Sequence, residues 1–103
     1  MSRAEIWVVD DDDDHREGLC DLISAAGHHP VGLSGGIAAR DALEGPLPDL
    51  VLTDLRMPVL DGIGVLDAVR EVAADLPVVL LTGHGDVAHA VRAMQRGAQD
   101  FLE

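Results

Sequence analysis

The chain has 103 residues, with 7 basic and 19 acidic side chains, a formal net charge of −12 and 48% apolar residues. This length allows one compact domain, and the apolar fraction is too high for a disordered acidic tail. A surface this anionic repels phosphate backbones and anionic lipid headgroups, so we expect no direct contact with nucleic acid and no binding to a membrane.

Apolar residues recur in two alternating patterns along the chain. Short continuous runs are typical of buried strands, and spacings of three and four are typical of one helix face. The first run ends at five aspartates, of which Asp13 or Asp14 is placed to cap the next helix, and a later helix is capped by Asp86 and ended by Gly97. The predicted strands are residues 6–9, 29–33, 50–53, 77–82 and 98–102. The other predicted helices are residues 15–26, 37–43 and 63–72.

The order of these elements predicts an α/β fold with an open parallel sheet. Strands and helices alternate along the whole chain, and the strands are continuously apolar, which indicates that helices cover both faces of the sheet. In such a sheet the ligand site lies at the carboxyl ends of the strands. The residues that follow each strand are therefore the candidates for function.

Polar residues mark three of these strand ends. Asp10, Asp11 and Asp12 follow the first strand, Asp54 follows the third, and Thr82 ends the fourth. If the first and third strands are neighbours, three or four carboxylates share a pocket, where each pair repels by roughly 1–4 kcal/mol and a cation relieves the repulsion. An acidic run at a helix start is more often a solvated cap, but the independent placement of Asp54 favours a metal site. Oxygen ligands in a small site suit Mg²⁺.

Four segments carry motifs in a specific order and spacing. They are WVVDDD at 7–12, LTDLRMP at 52–58 with DG at 61–62, LTGHGD at 81–86, and GAQDF at 97–101. Together they resemble the receiver domain of bacterial two-component response regulators, most closely those of dicarboxylate-transport and nitrogen-regulation activators and of the nitrogen-fixation regulator type. The resemblance implies a flavodoxin-like, doubly wound, five-stranded parallel sheet with strand order 2-1-3-4-5.

The resemblance also implies a phosphoacceptor rather than an enzyme with an external substrate. Asp54 would take a phosphoryl group from a sensor histidine kinase, and the resulting change of conformation would control a downstream output, for which we expect transcription. Mg²⁺ would offset the charge on the transferring oxygens. The implied ligands are the carboxylates of Asp11 and Asp54, the backbone carbonyl of Arg56 and, through water, Asp10. Counting back from Arg16 sets this register, and Asp12 is the alternative if the register moves by one.

Further residues are implied to bind the phosphoryl group or to switch with it. The backbone N–H of Leu55 or Gly83 could hold a phosphoryl oxygen. Thr82 would turn toward the phosphoryl group, and Phe101 would move inward behind it. A strand-terminal Thr usually makes only local hydrogen bonds and a lone strand Phe is usually core, so these two roles depend on family position alone.

The end of the chain departs from the family pattern. The family places a Lys at the end of the fifth strand and a fifth helix after it, whereas this sequence stops at Glu103 and contains no Lys. We expect residues 1–103 to be a receiver domain truncated at the end of the fifth strand, with the output domain downstream. Receivers of the resembling activators often form homodimers through the fourth helix, the fifth strand and the fifth helix, so we expect that surface to be incomplete here.

Two other functions remain open from the sequence. A Mg²⁺-dependent phosphohydrolase of haloacid-dehalogenase type also uses a strand-end Asp, but it needs an acid two residues later, where this chain has Arg56. A receiver-like interaction module that needs no phosphorylation would be expected to lose one of the acids. Cys20 is the one cysteine, and the chain shows no signal-peptide pattern, so we expect a cytoplasmic protein.

Overall fold

The computed structural model describes residues 3–83 and 86–103, and it has the predicted order of strands and helices. The strands are β1 (Glu5–Val9), β2 (His29–Leu33), β3 (Leu50–Asp54), β4 (Val78–Leu81) and β5 (Asp100–Leu102). The helices are α1 (Asp13–Ala25), α2 (Gly36–Ala42), α3 (Gly62–Val72) and α4 (Val87–Gln95). His84 and Gly85, in the third sequence motif, lie outside the described residues.

The five strands form one parallel sheet in the order β2-β1-β3-β4-β5, which confirms the predicted doubly wound topology. The chain leaves β1 toward β2 on one side and returns to β3 on the other, so β1 and β3 are neighbours at the point where the winding reverses. Val9 pairs with Thr53 in this ladder. The residues that follow β1 and β3 therefore start side by side, at the position where such sheets bind ligands.

One apolar core lies between the sheet and helices α2, α3 and α4. Alternate strand residues such as Trp7, Val9 and Val51 point into it, and Leu66 of α3 fills it from the helix side. Val8 is also fully buried, on the face of the sheet where α1 contacts β1 and β2. Within residues 3–83 and 86–103, no helix is long and apolar enough to cross a bilayer.

The helix caps differ from the prediction at α1. Asp12, rather than Asp13 or Asp14, caps this helix, because its carboxylate accepts a hydrogen bond of 3.1 Å from the N–H of His15. Asp13 and Asp14 lie in the first turn, where negative charge still complements the helix dipole. The aspartate run therefore supplies the cap one residue earlier than predicted.

The prediction that the Asp86 side chain caps α4 is wrong. Asp86 occupies the cap position, but its carboxylate makes no capping hydrogen bond and instead accepts from the guanidinium of Arg56, at 2.8 Å from Nε and in a second contact from Nη2. The carboxylate is therefore engaged by the guanidinium and not by the first turn of the helix. Gly97, with φ of 102°, does end α4 as expected.

Candidate functional site

Three carboxylates from two strand ends meet at the carboxyl edge of the sheet. Asp10, Asp11 and Asp54 each offer an oxygen, and these oxygens lie within 4.8 Å of one another. The pairing of β1 with β3 produces this closeness, because each strand delivers its acid at its last residue or just after it. The acids predicted from separate parts of the sequence thus share one pocket. Asp12, the alternative ligand, is not in this group, since its carboxylate caps α1.

Asp10 is the fully buried member of the group. Its Oδ1 accepts a hydrogen bond of 3.0 Å from the N–H of Asp12, and its Oδ2 contacts Nδ1 of His15. A buried carboxylate is tolerated only with such partners. Asp11 is exposed, so it meets solvent at the mouth of the same pocket. Asp10 and Asp11 thus differ in burial, and each offers one oxygen to the group.

His15 is a residue of the site that the sequence reasoning missed. It lies three residues after the cap Asp12, at a helix position whose side chain can reach back over the start of the helix. Here the imidazole reaches Asp10, and it also lines a cavity of about 460 Å³ together with Asp54 and Thr82. The signal in the sequence was the spacing from the cap, which is the spacing of a capping box with His in place of Glu.

Asp54 ends β3 with its side chain half-buried. Burial raises the pKa of this carboxyl above its ordinary value, and the negative charge of Asp10, followed by that of Asp11, raises it further. Carboxylates that repel one another in a partly dry pocket favour a bound cation. Because every donor in the group is a hard oxygen, the residues fit Mg²⁺.

The loop after Asp54 is joined to the start of α4 through Arg56. The guanidinium of Arg56 is mostly exposed, yet it bonds the buried carboxylate of Asp86, and this pairing lowers the pKa of Asp86. The backbone of Arg56 is the segment implied to hold the metal. The Arg56–Asp86 ion pair therefore links the loop after Asp54 to the start of α4, the helix that follows Thr82 in the chain.

The residues implied to switch lie beside Asp54, and they are engaged in local hydrogen bonds. The Thr82 hydroxyl donates to the carbonyl of Leu102 at 3.4 Å. The N–H of Leu55 donates to the carbonyl of Leu81 at 2.9 Å, so in this conformation the sheet uses the donor that was a candidate for a phosphoryl oxygen. Gly83 is exposed on the cavity that Asp54 lines.

Phe101, the remaining implied switch residue, lies in β5. It is partly buried in β5 and packs against the apolar core, in register with Leu80 of β4. Thr82 is the residue that follows β4, so the two lie on neighbouring strands of the sheet. This packing is the ordinary core role of a strand aromatic, and it also leaves Phe101 within one strand of the Thr82 segment.

Known proteins match this chain over nearly its whole length. The family of response regulator receiver domains matches residues 6–103. The transcriptional regulatory protein FixJ of Bradyrhizobium diazoefficiens is 41% identical over 102 residues, which cover 99% of this chain and 50% of FixJ. The C4-dicarboxylate transport transcriptional regulatory protein DctD of Pseudomonas aeruginosa is 40% identical over 102 residues, which cover 99% of this chain and 22% of DctD. The chain thus spans only part of the length of these curated relatives.

Solved structures show the same fold. NtrX from Brucella abortus, crystallised with ADP, superimposes with a TM-score of 0.92 at 36% identity, covering 99% of this chain and 24% of NtrX. A response regulator receiver protein from Pseudomonas putida superimposes with a TM-score of 0.88 at 34% identity, covering 99% of this chain and 86% of that protein. The resemblance seen in the sequence motifs is confirmed, and the chain belongs to the response regulator receiver domains.

Proposed function

We propose that this chain accepts a phosphoryl group on Asp54 from a phosphohistidine of a sensor histidine kinase. A carboxylate oxygen of Asp54 bonds to phosphorus as the P–N bond of the phosphohistidine breaks, and the imidazole leaves with the electron pair and takes up a proton. The product is an acyl phosphate. The observation that carries the proposal is the meeting of Asp10, Asp11 and Asp54 within 4.8 Å at the switch point of the sheet.

The residues around Asp54 hold the metal in this proposal. Asp11 and Asp54 would hold it directly, Asp10 would hold it through water, and the backbone carbonyl of Arg56 would complete the protein ligands. When bound, Mg²⁺ offsets the negative charge that builds up on the transferring oxygens. The side chain of Asp10 is held in the pocket by its contacts to the N–H of Asp12 and to His15.

Phosphorylation then changes the equilibrium between two conformations. Gly83 offers its N–H to a phosphoryl oxygen, Thr82 exchanges its bond to Leu102 for one to the phosphoryl group, and Phe101 moves inward. The coupling free energy between phosphorylation and such a change of conformation is typically ~1–3 kcal/mol. We propose that the signal passes in the cytoplasm to an output domain that controls transcription, because the curated relatives are longer transcriptional regulators.

Acetyl phosphate with Mg²⁺ tests this function without a kinase. We expect intact-mass spectrometry to show one phosphoryl group per wild-type chain, none on Asp54→Asn, and an undiminished adduct on Asp75→Asn, a change to an exposed loop acid outside the cluster. Sustained release of phosphate from an external phosphoester would instead indicate a phosphohydrolase. No adduct on the wild type would indicate a module that acts without phosphorylation.

A further inference from the structure

The side chain of His15 is held at two points, and the phosphoryl transfer proposed above does not use it. The backbone N–H of His15 donates to the carboxylate of Asp12 at 3.1 Å, which fixes the residue in the first turn of α1. The ring nitrogen Nδ1 contacts Oδ2 of Asp10, a fully buried carboxylate. A histidine held at its backbone and at one ring nitrogen presents its second ring nitrogen in a set direction.

The second ring nitrogen of His15, Nε2, is left as a hydrogen-bond acceptor. Because a carboxylate oxygen can only accept, the hydrogen of the contact with Asp10 belongs to Nδ1, and Nε2 of the neutral imidazole then carries a lone pair. Nε2 makes no hydrogen bond to any residue in the described ranges 3–83 and 86–103. The side chain is 54% exposed, so water reaches the ring.

The same imidazole lines a cavity together with the proposed phosphoacceptor. The cavity has a volume of about 460 Å³, and α1 contributes His15 and Leu19 to its wall. Asp54, at the end of β3, forms another part of the wall, and the segment after β4 contributes Thr82 and Gly83. A water molecule takes about 30 Å³ in the liquid, so the cavity has room for a phosphoryl group on Asp54 and for water beside it.

His15 is the lining side chain best suited to hold that water. Asp54 would carry the phosphoryl group, the Thr82 hydroxyl would bond to it, and the leucines of the wall have no polar side-chain atom. Glu103 also lines the cavity, but its carboxylate repels the negative phosphoryl oxygens, whereas a neutral imidazole does not. The acceptor that remains for a water next to the phosphoryl group is Nε2 of His15.

Hydrolysis of an acyl phosphate depends mainly on where the attacking water is held. The transition state of phosphoryl transfer is loose, so positioning contributes more than removal of a proton from the water. A neutral side chain that accepts a hydrogen bond from the water suits this task. Such a residue acts on the breakdown of the acyl phosphate and not on its formation, because transfer from a donor to Asp54 requires no water.

We propose that His15 positions the water that hydrolyses the acyl phosphate on Asp54, and that it thereby sets the lifetime of the phosphorylated chain. The water oxygen bonds to phosphorus as the bond between phosphorus and the Asp54 oxygen breaks. The electron pair of that bond stays on the Asp54 carboxylate, and both water protons end on the inorganic phosphate that is released. This inference rests on the proposed function, because it requires the acyl phosphate on Asp54.

The decay of the phosphorylated chain tests this inference. Wild type, His15→Leu, His15→Gln and His29→Leu are phosphorylated with acetyl phosphate and saturating Mg²⁺, separated from the donor by rapid desalting into the same Mg²⁺ buffer, and followed by intact-mass spectrometry. Leu is a good helix former that removes the acceptor, and the amide oxygen of Gln restores one. His29 is the control, since it is an exposed histidine at the start of β2, at the edge of the sheet opposite to Asp54.

We expect the half-life of the adduct to be about tenfold longer on His15→Leu than on wild type, because one hydrogen bond to the attacking water is lost. The half-life on His15→Gln should stay within about threefold of wild type, and His29→Leu should match wild type. The rate of phosphorylation by acetyl phosphate should remain within about twofold of wild type in every variant. Because His15 also contacts Asp10, isothermal titration calorimetry checks that Mg²⁺ saturates each chain.

Four results would overturn the inference. They are a half-life on His15→Leu that is unchanged or shorter, an equal slowing of phosphorylation and of decay in His15→Leu, a half-life on His15→Gln as long as on His15→Leu, and the same lengthening in His29→Leu. Equal slowing of both steps would mean that His15 only shapes the metal pocket through Asp10. The absence of any adduct on wild type is a different result, since it removes the proposed function itself.

Discussion

At the scale of single residues, the site depends on acids that are costly to the fold when no cation is present. Asp10 is fully buried, and the pKa of Asp54 is raised first by burial and then by the charges of Asp10 and Asp11. The sequence predicted which acids meet, because strand ends can be identified from apolar runs. It did not predict that Asp12 would turn into the helix cap or that His15 would reach Asp10, since both depend on side-chain rotamers.

Replacing Asp54 tests the repulsion directly. Because the folded pKa of Asp54 is above its unfolded value, this group destabilises the folded chain at neutral pH, and the penalty disappears as pH falls toward the ordinary value of 3.8. In chelator at pH 7, we expect Asp54→Asn to be more stable than wild type by roughly 1–2 kcal/mol. Thermal melts should show this advantage shrinking in acid, and an advantage that grows in acid would contradict it.

Asp12 and Asp11 are neighbours with separable roles. Asp12→Ala removes the cap of α1 and should lower the free energy of unfolding by about 1 kcal/mol. It should leave the Mg²⁺ affinity close to that of wild type, whereas Asp11→Ala should weaken Mg²⁺ binding strongly. Isothermal titration calorimetry with Mg²⁺ measures the affinity of each variant. Equal losses of affinity in both variants would put Asp12 among the ligands.

At the scale of elements, α4 is attached to the rest of the domain by arginines at both ends. Arg56 bonds Asp86 at its start, and Arg96 bonds Asp67 of α3 near its end. Between these points only Ala90 and Ala93 are buried, so α4 presents small side chains to the sheet. The helix itself was predictable from its apolar spacing. Its anchoring was not, because Arg56 and Asp86 are 30 residues apart and their pairing exists only after the sheet has formed.

The contribution of the Arg56–Asp86 pair to stability should depend on pH in the acid range. Arg56 holds the pKa of Asp86 below its ordinary value of 3.8, so the stabilisation is present above that pH and is lost as pH falls through the folded pKa. Between neutral pH and strong acid, the Tm of Asp86→Asn should therefore fall less than that of wild type. Arg56→Gln should show the same flatter profile. An acid profile of Asp86→Asn identical to that of wild type would mean that the pair contributes nothing in solution.

At the scale of the whole molecule, the order of the strands in the sheet brings the residues of the site together. Neighbouring β1 and β3 bring residues 10 and 54 together across more than forty positions of sequence. Continuous apolar strands were sufficient to predict a parallel sheet, and the family motifs supplied the strand order. Local details were harder to predict. In the loop between β3 and α3, Val59 has a φ of 71°, and the next residue, Leu60, lies tightly against Gly36 of α2 and Gly64 of α3. No local sequence pattern reports this packing.

Mg²⁺ should stabilise the entire domain, because the ion binds the folded arrangement of acids and not the unfolded chain. At a hundredfold excess over its dissociation constant, we expect about 2.7 kcal/mol. For a domain of this size, that corresponds to a Tm higher by roughly 10 °C. Asp54→Asn and Asp11→Asn should lose most of this shift. A shift of equal size in these variants would mean that Mg²⁺ acts on the general negative charge.

The most direct test of the central claim is to locate the phosphoryl group on the chain. After reaction with acetyl phosphate and Mg²⁺, borohydride reduces an acyl phosphate to an alcohol, so the modified aspartate becomes homoserine and can be identified by peptide mass spectrometry. We predict homoserine at position 54 and at no other acid. Homoserine at position 10, 11 or 12, or a phosphoryl group found instead on His15, would contradict the assignment of Asp54 as the acceptor.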